Sequence, residues 1–291
     1  MNIGVIVNPV ACTDGAEPLK AALSKRGVAT SWFETTKSDP GPGAVSDALG
    51  WGADAVIVCG GDGTVRACAE GLARAAVPMA ISPAGTGNLL ARNLELPSDP
   101  EAVVEAAISG RRVRTDLGRV EGEVFAVMAG AGLDAAIMAE TSSEAKDRFG
   151  VLSYIVEGLR HISDPPTEAR IIADGNEVRA DSWLTILVGN LGRLPGGVDM
   201  FPDSRIRDGA LDLVAVPAGG LTSTAGIASS ILAGEDHEDL LRLRGSHFTV
   251  EFSSPTRYEL DGEARDEIGL LDFTVDDSAL EVCVPEQSER S

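Results

Sequence analysis

The first third of the chain alternates short apolar runs with segments whose apolar residues follow helical spacing. We predict strands at residues 2–7, 30–35, 53–59 and 78–82, and helices at residues 16–26, 44–51, 65–75 and 100–109. The last helix has a clear start signal, because Pro100 stands at its first turn. This alternation is typical of a doubly wound α/β domain with a mostly parallel sheet.

Near Arg114 the pattern changes to a period of two, with tight turns between apolar stretches. We predict strands at residues 113–120, 123–129, 169–174, 178–189, 211–216 and 248–252, and two helices at residues 150–162 and 221–232. Asp174-Gly175 is a strong hairpin-turn signal. The predicted division is an α/β domain at 1–113, a mainly antiparallel β domain at 114–285 and a polar tail at 286–291.

Two glycine segments stand at the ends of neighbouring predicted strands: GGDGT at residues 60–64 and PAGTGN at residues 83–88. Parallel strands end at one edge of their sheet, where open α/β sheets bind ligands. Glycine lets backbone N–H groups approach an anion, and a following helix N-terminus adds a favourable dipole. Two such segments side by side favour a polyphosphate ligand. The chain has no GxxxxGK[ST] motif and no GxGxxG after its first strand, so it has neither a P-loop nor a Rossmann fingerprint.

Within these segments, specific residues are candidates for binding or catalysis. Asp62 is placed to hold Mg²⁺ or to position the transferring phosphate, and Thr64 to donate its hydroxyl at the helix start. Thr86 would face phosphate, and Asn88 would cap a helix or contact substrate. The predicted phosphate-binding residues are Gly60, Gly61, Asp62, Gly63, Thr64, Gly85, Thr86 and Asn88.

Polar residues elsewhere are more ambiguous. Asn8-Pro9 ends the first strand at the same sheet edge, and Thr35-Thr36 ends the second; both are also ordinary turn or strand-end chemistry. Asp261-Gly262-Glu263 is either a plain hairpin turn or the source of a carboxylate that accepts a proton from an attacking hydroxyl. Asp208-Gly209 is a similar turn.

Composition narrows the function classes. The formal net charge is −21, from 45 acidic and 24 basic residues, which disfavours nucleic-acid binding and opposes docking on an anionic membrane. One basic cluster, Arg111, Arg112 and Arg114, is either a membrane contact or a solvated helix end. No apolar run reaches the roughly 18 residues of a membrane span, and no leader peptide is evident. The four cysteines lack metal-site spacing, which predicts reduced, mostly buried thiols in a cytoplasmic protein.

These residues resemble the diacylglycerol kinase catalytic family, which includes sphingosine and ceramide kinases and bacterial lipid kinases. The resemblance rests on GGDGT at residues 60–64, PAGTGNLLAR at 83–92, AGAGLDA at 129–135, RFGVLSYIVEGL at 148–159, FPDSRIRDGALDL at 201–213 and LDGE at 260–263. It covers nearly the whole chain in order. It implies an α/β domain, a C-terminal β-sandwich domain and a nucleotide in the cleft between them.

The resemblance also implies roles for individual residues. Contacts to ATP would come from Asn8, Pro9, Thr36 (or Thr35), Gly61, Asp62, Gly63, Thr64 and Thr86. Asp261 and Glu263 would be the candidates for general base. A structural Mg²⁺ would lie near the Asp-Gly turn, held by Arg205, Asp208 and Ala210, partly through backbone carbonyls.

Three positions depart from the family pattern. The first loop, usually Asn-Pro-x-Ser-Gly, continues here as Val10-Ala11-Cys12 after Asn8-Pro9. Arg66-Ala67 replaces the Asn-Glu that many relatives carry after GGDGT, and Leu89-Leu90 stands where the bacterial diacylglycerol branch often has Asp-Phe. These departures bear on the substrate more than on the kinase chemistry.

The leading hypothesis is an ATP- and Mg²⁺-dependent lipid kinase, with diacylglycerol as the default acceptor and a sphingoid base next. It would act peripherally at a membrane surface, at the inner face of the cell membrane. An NAD-type kinase with a soluble acceptor and a catalytically silent nucleotide-binding regulator are the alternatives. The oligomeric state stays open, a homodimer included.

Overall fold

The computed structural model describes residues 1–12, 16–132, 166–193, 199–219, 226–227, 229–230 and 237–286. The chain divides into two compact units, Met1–Asp116 with Asp277–Ser291, and Leu117–Asp276. This division differs from the predicted one, because it returns the chain from Asp277 onward to the first unit.

The first unit is an α/β domain. Its elements are β1 (Asn2–Val7), α1 (Ala16–Ser24), β2 (Ala29–Glu34), α2 (Pro42–Trp51), β3 (Ala55–Gly60), α3 (Asp62–Leu72), β4 (Met79–Pro83), α4 (Leu89–Asn93) and α5 (Pro100–Ser109). The strands pair in parallel in the order β2-β1-β3-β4. In register, Val7 lies beside Cys59 and Gly60 beside Pro83, so the segments after these strands begin at one sheet edge.

Helices cover both faces of this sheet. On one face α1 and α5 pack together, and Leu19 and Val104 join Val5 and Ile57 in a buried cluster. On the other face α2 packs on β1 and α3 packs on β3. Both faces are thus buried, which explains why the strands are continuous apolar runs. The predicted doubly wound architecture is confirmed.

The basic cluster belongs to the helix end of this unit. Arg112 donates to the carbonyl oxygens of Ala106 at 3.0 Å and Ala107 at 2.8 Å, and so satisfies the end of α5. Arg114 lies 3.5 Å from Glu281. Among the helices that the structure describes, none combines the length and the apolarity needed to cross a bilayer.

The second unit is antiparallel. It contains the end of β5 (Arg111–Val120), β6 (Glu123–Phe125), β7 (Met128–Gly132), β8 (Thr167–Ala173), β9 (Asn176–Gly189), β10 (Leu211–Pro217), β11 (Leu241–Gly245), β12 (His247–Leu260) and most of β13 (Glu263–Val284). The order is β11-β10-β9-β7-β12-β13. The register of β12 is interrupted between Glu251 and Thr256; its first half pairs with β8 and its second half with β7, as in strands shared by two layers of a sandwich.

The core of the second unit is built from inward-facing apolar residues of these strands, with Trp183, Phe248 and Phe273 among the most buried. The Trp183 indole N–H donates to the carbonyl of Ala169 at 3.0 Å, which satisfies its polar group inside the core. The predicted β-sandwich class is confirmed.

Several elements differ from the sequence predictions. The predicted strand at 123–129 is divided into β6 and β7 by a turn, and β11 and the 22-residue β13 were not predicted. The helix expected after Asn88 is the short α4. The helix predicted at 65–75 begins at Asp62 and ends at Leu72. The helix predicted at 150–162 and the motif at 148–159 lie outside the described residues, as do most of the helix predicted at 221–232 and part of the motif at 129–135.

All four cysteines are buried and free, in agreement with the prediction. Burial raises the pKa of the Cys68 thiol to about 12. Cys12 and Cys59 belong to the same buried cluster, where their thiols interact as hydrogen-bond partners.

Candidate active site

The GGDGT segment is more helix than loop. Gly60 is the last residue of β3, Gly61 is the N-cap of α3, and Asp62 is the first residue of this eleven-residue helix. Gly61 has no side chain with which to cap this end of α3. The first N–H groups of a helix have no carbonyl partner within the helix, so α3 directs backbone donors toward Gly61 and beyond. This end of α3 is a suitable binding site for an anion.

Asp62 joins the two glycine segments. Its Oδ2 atom accepts from the backbone N–H of Asn88 at 2.8 Å, and its Oδ1 atom accepts from that of Leu89 at 2.5 Å. The carboxylate therefore caps the N-terminus of α4, which lies 27 residues further along the chain. The last residue of the second segment and the first residue of α4 thus each direct one N–H group at Asp62.

The two segments touch through backbone atoms. A Cβ atom on Gly85 would lie 2.6 Å from the Cα atom of Gly61, and one on Gly87 would lie 2.6 Å from Oδ2 of Asp62. Any side chain at either position would push the segments apart. Glycine is required here by the close approach of the chains, a reason that the single motifs did not reveal.

Asn88 closes its own segment. Its side-chain oxygen accepts from the Gly85 N–H at 2.9 Å, and its amide donates to the Gly85 carbonyl at 2.6 Å. Its backbone is left-handed, with φ of 48°, a conformation that asparagine tolerates better than most residues. The side chain makes no capping bond to α4, so of its two predicted roles capping falls to Asp62 instead.

Asn8 connects the first loop to this centre. Its amide donates to the Thr64 hydroxyl at 2.9 Å, while its side-chain oxygen accepts from the Val10 N–H at 3.0 Å. Thr64 is buried at the first turn of α3. Because the hydroxyl accepts from Asn8, its proton can be donated to a ligand at the helix N-terminus.

Other predicted contacts lie nearer to solvent. Pro9 and Thr86 are exposed. Thr36 is exposed and its hydroxyl accepts from the Asp39 N–H at 3.0 Å, whereas Thr35 is buried at the end of the strand pairing. Of the two threonines, Thr36 is the accessible one.

Arg92 is the last residue of the PAGTGNLLAR motif, and the sequence alone assigned it no role. Its guanidinium donates to the carbonyl of Thr86 at 3.3 Å, and its charge acts on Asp62. Its side chain places a positive charge beside the glycine segments. The signal in the sequence was its place on α4, one helical turn after Asn88.

The surroundings of Asp62 raise the pKa of its carboxyl group. Burial raises the pKa of the carboxyl group, and the N–H groups of Leu89 and Asn88 and the charge of Arg92 oppose this shift. Burial is the largest of these effects. A carboxyl group with a shifted pKa beside unused N–H donors is common at catalytic sites.

In the second unit, Asp261 is a buried structural acceptor. Its carboxylate accepts from the N–H groups of Ala126 at 2.7 Å, Val127 at 2.8 Å and Met128 at 3.0 Å. Asn190 donates from its amide to the Ala126 carbonyl at 2.8 Å and so holds the same turn. Asp261 thereby stabilises the turn that divides β6 from β7.

Glu263 has different surroundings. Asp261 and Gly262 both have positive φ, 47° and 86°, and Leu260 pairs with Glu263, which is the two-residue hairpin that joins β12 to β13. The Glu263 side chain is 45% exposed and lies 3.4 Å from the guanidinium of Arg265. Of the two predicted carboxylates, Glu263 is the one accessible to a substrate.

The predicted magnesium ligands lie on the segment before β10. Arg205 is exposed, and the Asp208 Oδ1 atom accepts from the Ala210 N–H at 3.2 Å. The other oxygen of Asp208 is paired with the guanidinium of Arg244 on β11. Among the described residues, no group of three or more acidic, histidine or cysteine side chains could hold a metal ion.

Comparisons with known proteins agree with this architecture. Residues 2–120 match the model of the diacylglycerol kinase catalytic domain, and residues 127–284 match the model of the YegS C-terminal NAD kinase beta sandwich-like domain. A probable lipid kinase YegS-like protein of Pseudomonas aeruginosa is 32% identical over 246 residues, which cover 83% of this chain and 80% of that protein. The chain belongs to the YegS-like lipid kinase family.

Further relatives extend this result. The diacylglycerol kinase of Bacillus subtilis is 29% identical over 272 residues, 89% of this chain and 88% of that protein. A putative diacylglycerol kinase structure from Bacillus anthracis has a TM-score of 0.78 at 23% identity, covering 97% of this chain and 95% of that one. An NAD kinase of Archaeoglobus fulgidus in complex with ATP has a TM-score of 0.58 at 14% identity, covering 99% and 95%; both structures support the fold. As a member of this family the lipid kinase is a phosphotransferase with an alcohol group as acceptor.

Proposed function

We propose that this lipid kinase transfers the γ-phosphate of ATP to the hydroxyl group of diacylglycerol. The observation that carries the proposal is the uncapped N-terminus of α3, held against the second glycine segment by the carboxylate of Asp62. Two linked glycine segments beside a helix N-terminus are suited to a polyphosphate.

The residues of the first unit would divide the work of binding phosphate. The first N–H groups of α3 and the hydroxyl of Thr64 donate to phosphate oxygens, and Arg92 adds a positive charge. The carboxylate of Asp62 accepts N–H bonds from Asn88 and Leu89 and has lone pairs beyond these, so Asp62 fits as a single protein ligand of Mg²⁺ carried by ATP. When bound, Mg²⁺ neutralises charge on the phosphates.

Proton transfer would be the task of Glu263. The lipid hydroxyl oxygen forms a bond to the γ-phosphorus, the bond from that phosphorus to the β–γ bridging oxygen breaks, and ADP leaves. The hydroxyl proton passes to the Glu263 carboxylate. Asp261 is less suited to this role, because three backbone N–H groups already stabilise its charged form.

Diacylglycerol as acceptor rests on family evidence. Several curated relatives carry the name diacylglycerol kinase, and the Bacillus subtilis relative covers 89% of this chain. Leu89 and Leu90 are buried at the start of α4, where the departure from the family pattern lies, so they act on the packing of α4. A sphingoid base is the second candidate acceptor, and the site of action would be a membrane surface.

The test is transfer of labelled γ-phosphate from ATP and Mg²⁺ into mixed micelles that contain diacylglycerol, a sphingoid base or no lipid. We expect label in phosphatidic acid with the wild type, and at least about a hundredfold less with Asp62→Ala or Glu263→Gln. Glu267→Gln is the matched control, since Glu267 is an exposed carboxylate of the same strand.

Three outcomes would overturn the proposal in part or whole. Label in the sphingoid base alone changes the acceptor but keeps the lipid kinase. Phosphorylation of NAD without label in any lipid would show an NAD-type kinase with a soluble acceptor. ATP binding without transfer to any acceptor makes the protein a nucleotide-binding regulator.

A further inference from the structure

The segment before β10, residues 200–210, is in contact with the positively charged side chain of Arg244. Arg244 lies on β11 directly opposite Asp212 of β10. Its Nη1 atom donates to the Asp203 carbonyl at 2.8 Å and lies 4.0 Å from Oδ1 of Asp212. Its Nη2 atom is paired with Oδ2 of Asp208.

The oxygens around this guanidinium are of the types that Mg²⁺ and Ca²⁺ select. They comprise one backbone carbonyl and two carboxylates. The side chains of Asp208 and Asp212 are only 15% and 13% exposed. Both carboxylates interact with this one guanidinium, whose positive charge offsets the repulsion between them.

We propose that Arg244 takes the place of the structural magnesium ion that the family resemblance implies at Asp208. A guanidinium hydrogen-bonded to the implied ligand carboxylate brings like charge to the position of a divalent ion, so the two exclude each other. The fold of the second unit is then independent of divalent metal. This inference does not depend on the identity of the acceptor.

A second arginine of β11 also binds the segment before β10. Arg242, two residues before Arg244 on the same face of the strand, donates to the Met200 carbonyl at 2.8 Å. Like Arg244, Arg242 thus binds a backbone carbonyl of the segment before β10. It is the natural control for simple loss of anchoring.

The test is thermal unfolding of the full chain without nucleotide, in EDTA and with added Mg²⁺ or Ca²⁺. We expect the wild-type Tm to be the same in all three conditions. Arg244→Met should lower the Tm in EDTA by about 3 °C or more, and millimolar divalent ion should restore part of the loss. Arg242→Met should lower the Tm without gaining a response to metal.

Further variants identify the ligand and guard against a variant that fails to fold. Arg244→Lys keeps the charge and should stay insensitive to metal. Adding Asp208→Asn to Arg244→Met should abolish the acquired response. A wild-type Tm that falls in EDTA and recovers with Mg²⁺ would overturn the proposal, as would an Arg244→Met variant that folds but is not stabilised by either ion.

Discussion

The carboxylate of Asp62 accepts the backbone N–H of Asn88 at 2.8 Å, and this bond holds together two motifs that stand 26 residues apart. A residue expected to bind metal or phosphate therefore also positions the second glycine segment. Loss of Asp62 therefore affects both functions.

Asp62→Asn is the variant that probes the positioning role. One side-chain oxygen becomes an NH₂ group, which cannot accept from the N–H of Asn88 or Leu89. We expect the free energy of unfolding to fall by about 1–3 kcal/mol and kcat/KM to fall by more than about a hundredfold. Urea unfolding and phosphate-transfer assays measure the two effects. Glu70→Gln, near the other end of α3, should change neither.

The raised pKa of Asp62 predicts a pH dependence of stability. A carboxyl group with a raised pKa binds its proton more tightly in the folded than in the unfolded protein. Its contribution to stability is therefore present below the unfolded pKa and is lost as the pH rises through the folded pKa. We expect the wild type to gain stability relative to Asp62→Asn as the pH falls from about 7 to about 4.5. Urea unfolding of both proteins across this pH range measures the difference in their free energies of unfolding. The opposite trend would show that the N–H bonds outweigh burial.

Substitutions of Asp261 and Glu263 should have different effects, the first on stability and the second on turnover. Asp261→Asn disturbs a buried carboxylate that accepts three N–H groups, so we expect a loss of about 2–3 kcal/mol in the free energy of unfolding. Glu263→Gln should stay within about 0.5 kcal/mol of the wild type yet lose turnover. Urea unfolding and labelled-phosphate transfer decide the matter. Full stability with lost turnover in Asp261→Asn would make Asp261 the base.

The bond between Asn8 and Thr64 should affect ATP affinity. Thr64→Val keeps the shape of the side chain but removes the acceptor of the Asn8 amide and the donor to phosphate. We expect the KM for ATP to rise about fivefold, which corresponds to roughly 1 kcal/mol. Thr30→Val, at an exposed position of β2, serves as the control. An unchanged KM in Thr64→Val would remove this hydroxyl from the nucleotide site.

Much of the fold was predictable because its signals are local. The apolar runs that became β1, β3 and β4 and the start of α5 at Pro100 follow from periodicity and capping within a few residues. A helix was expected after Asn88, but its bounds were not predictable, since the five residues of α4 are too few for a periodic pattern.

The glycine segments, their place after parallel strands and the family likeness can all be read along the chain, since they depend on residue type and spacing. The roles of the charged groups follow from the folded structure instead. Asp62 meets the N-terminus of α4, Asp261 meets three N–H groups more than 130 residues away, and Arg244 meets Asp208. Carboxylates and guanidinium groups interact over a few ångströms, and folding alone brings such distant positions within that range.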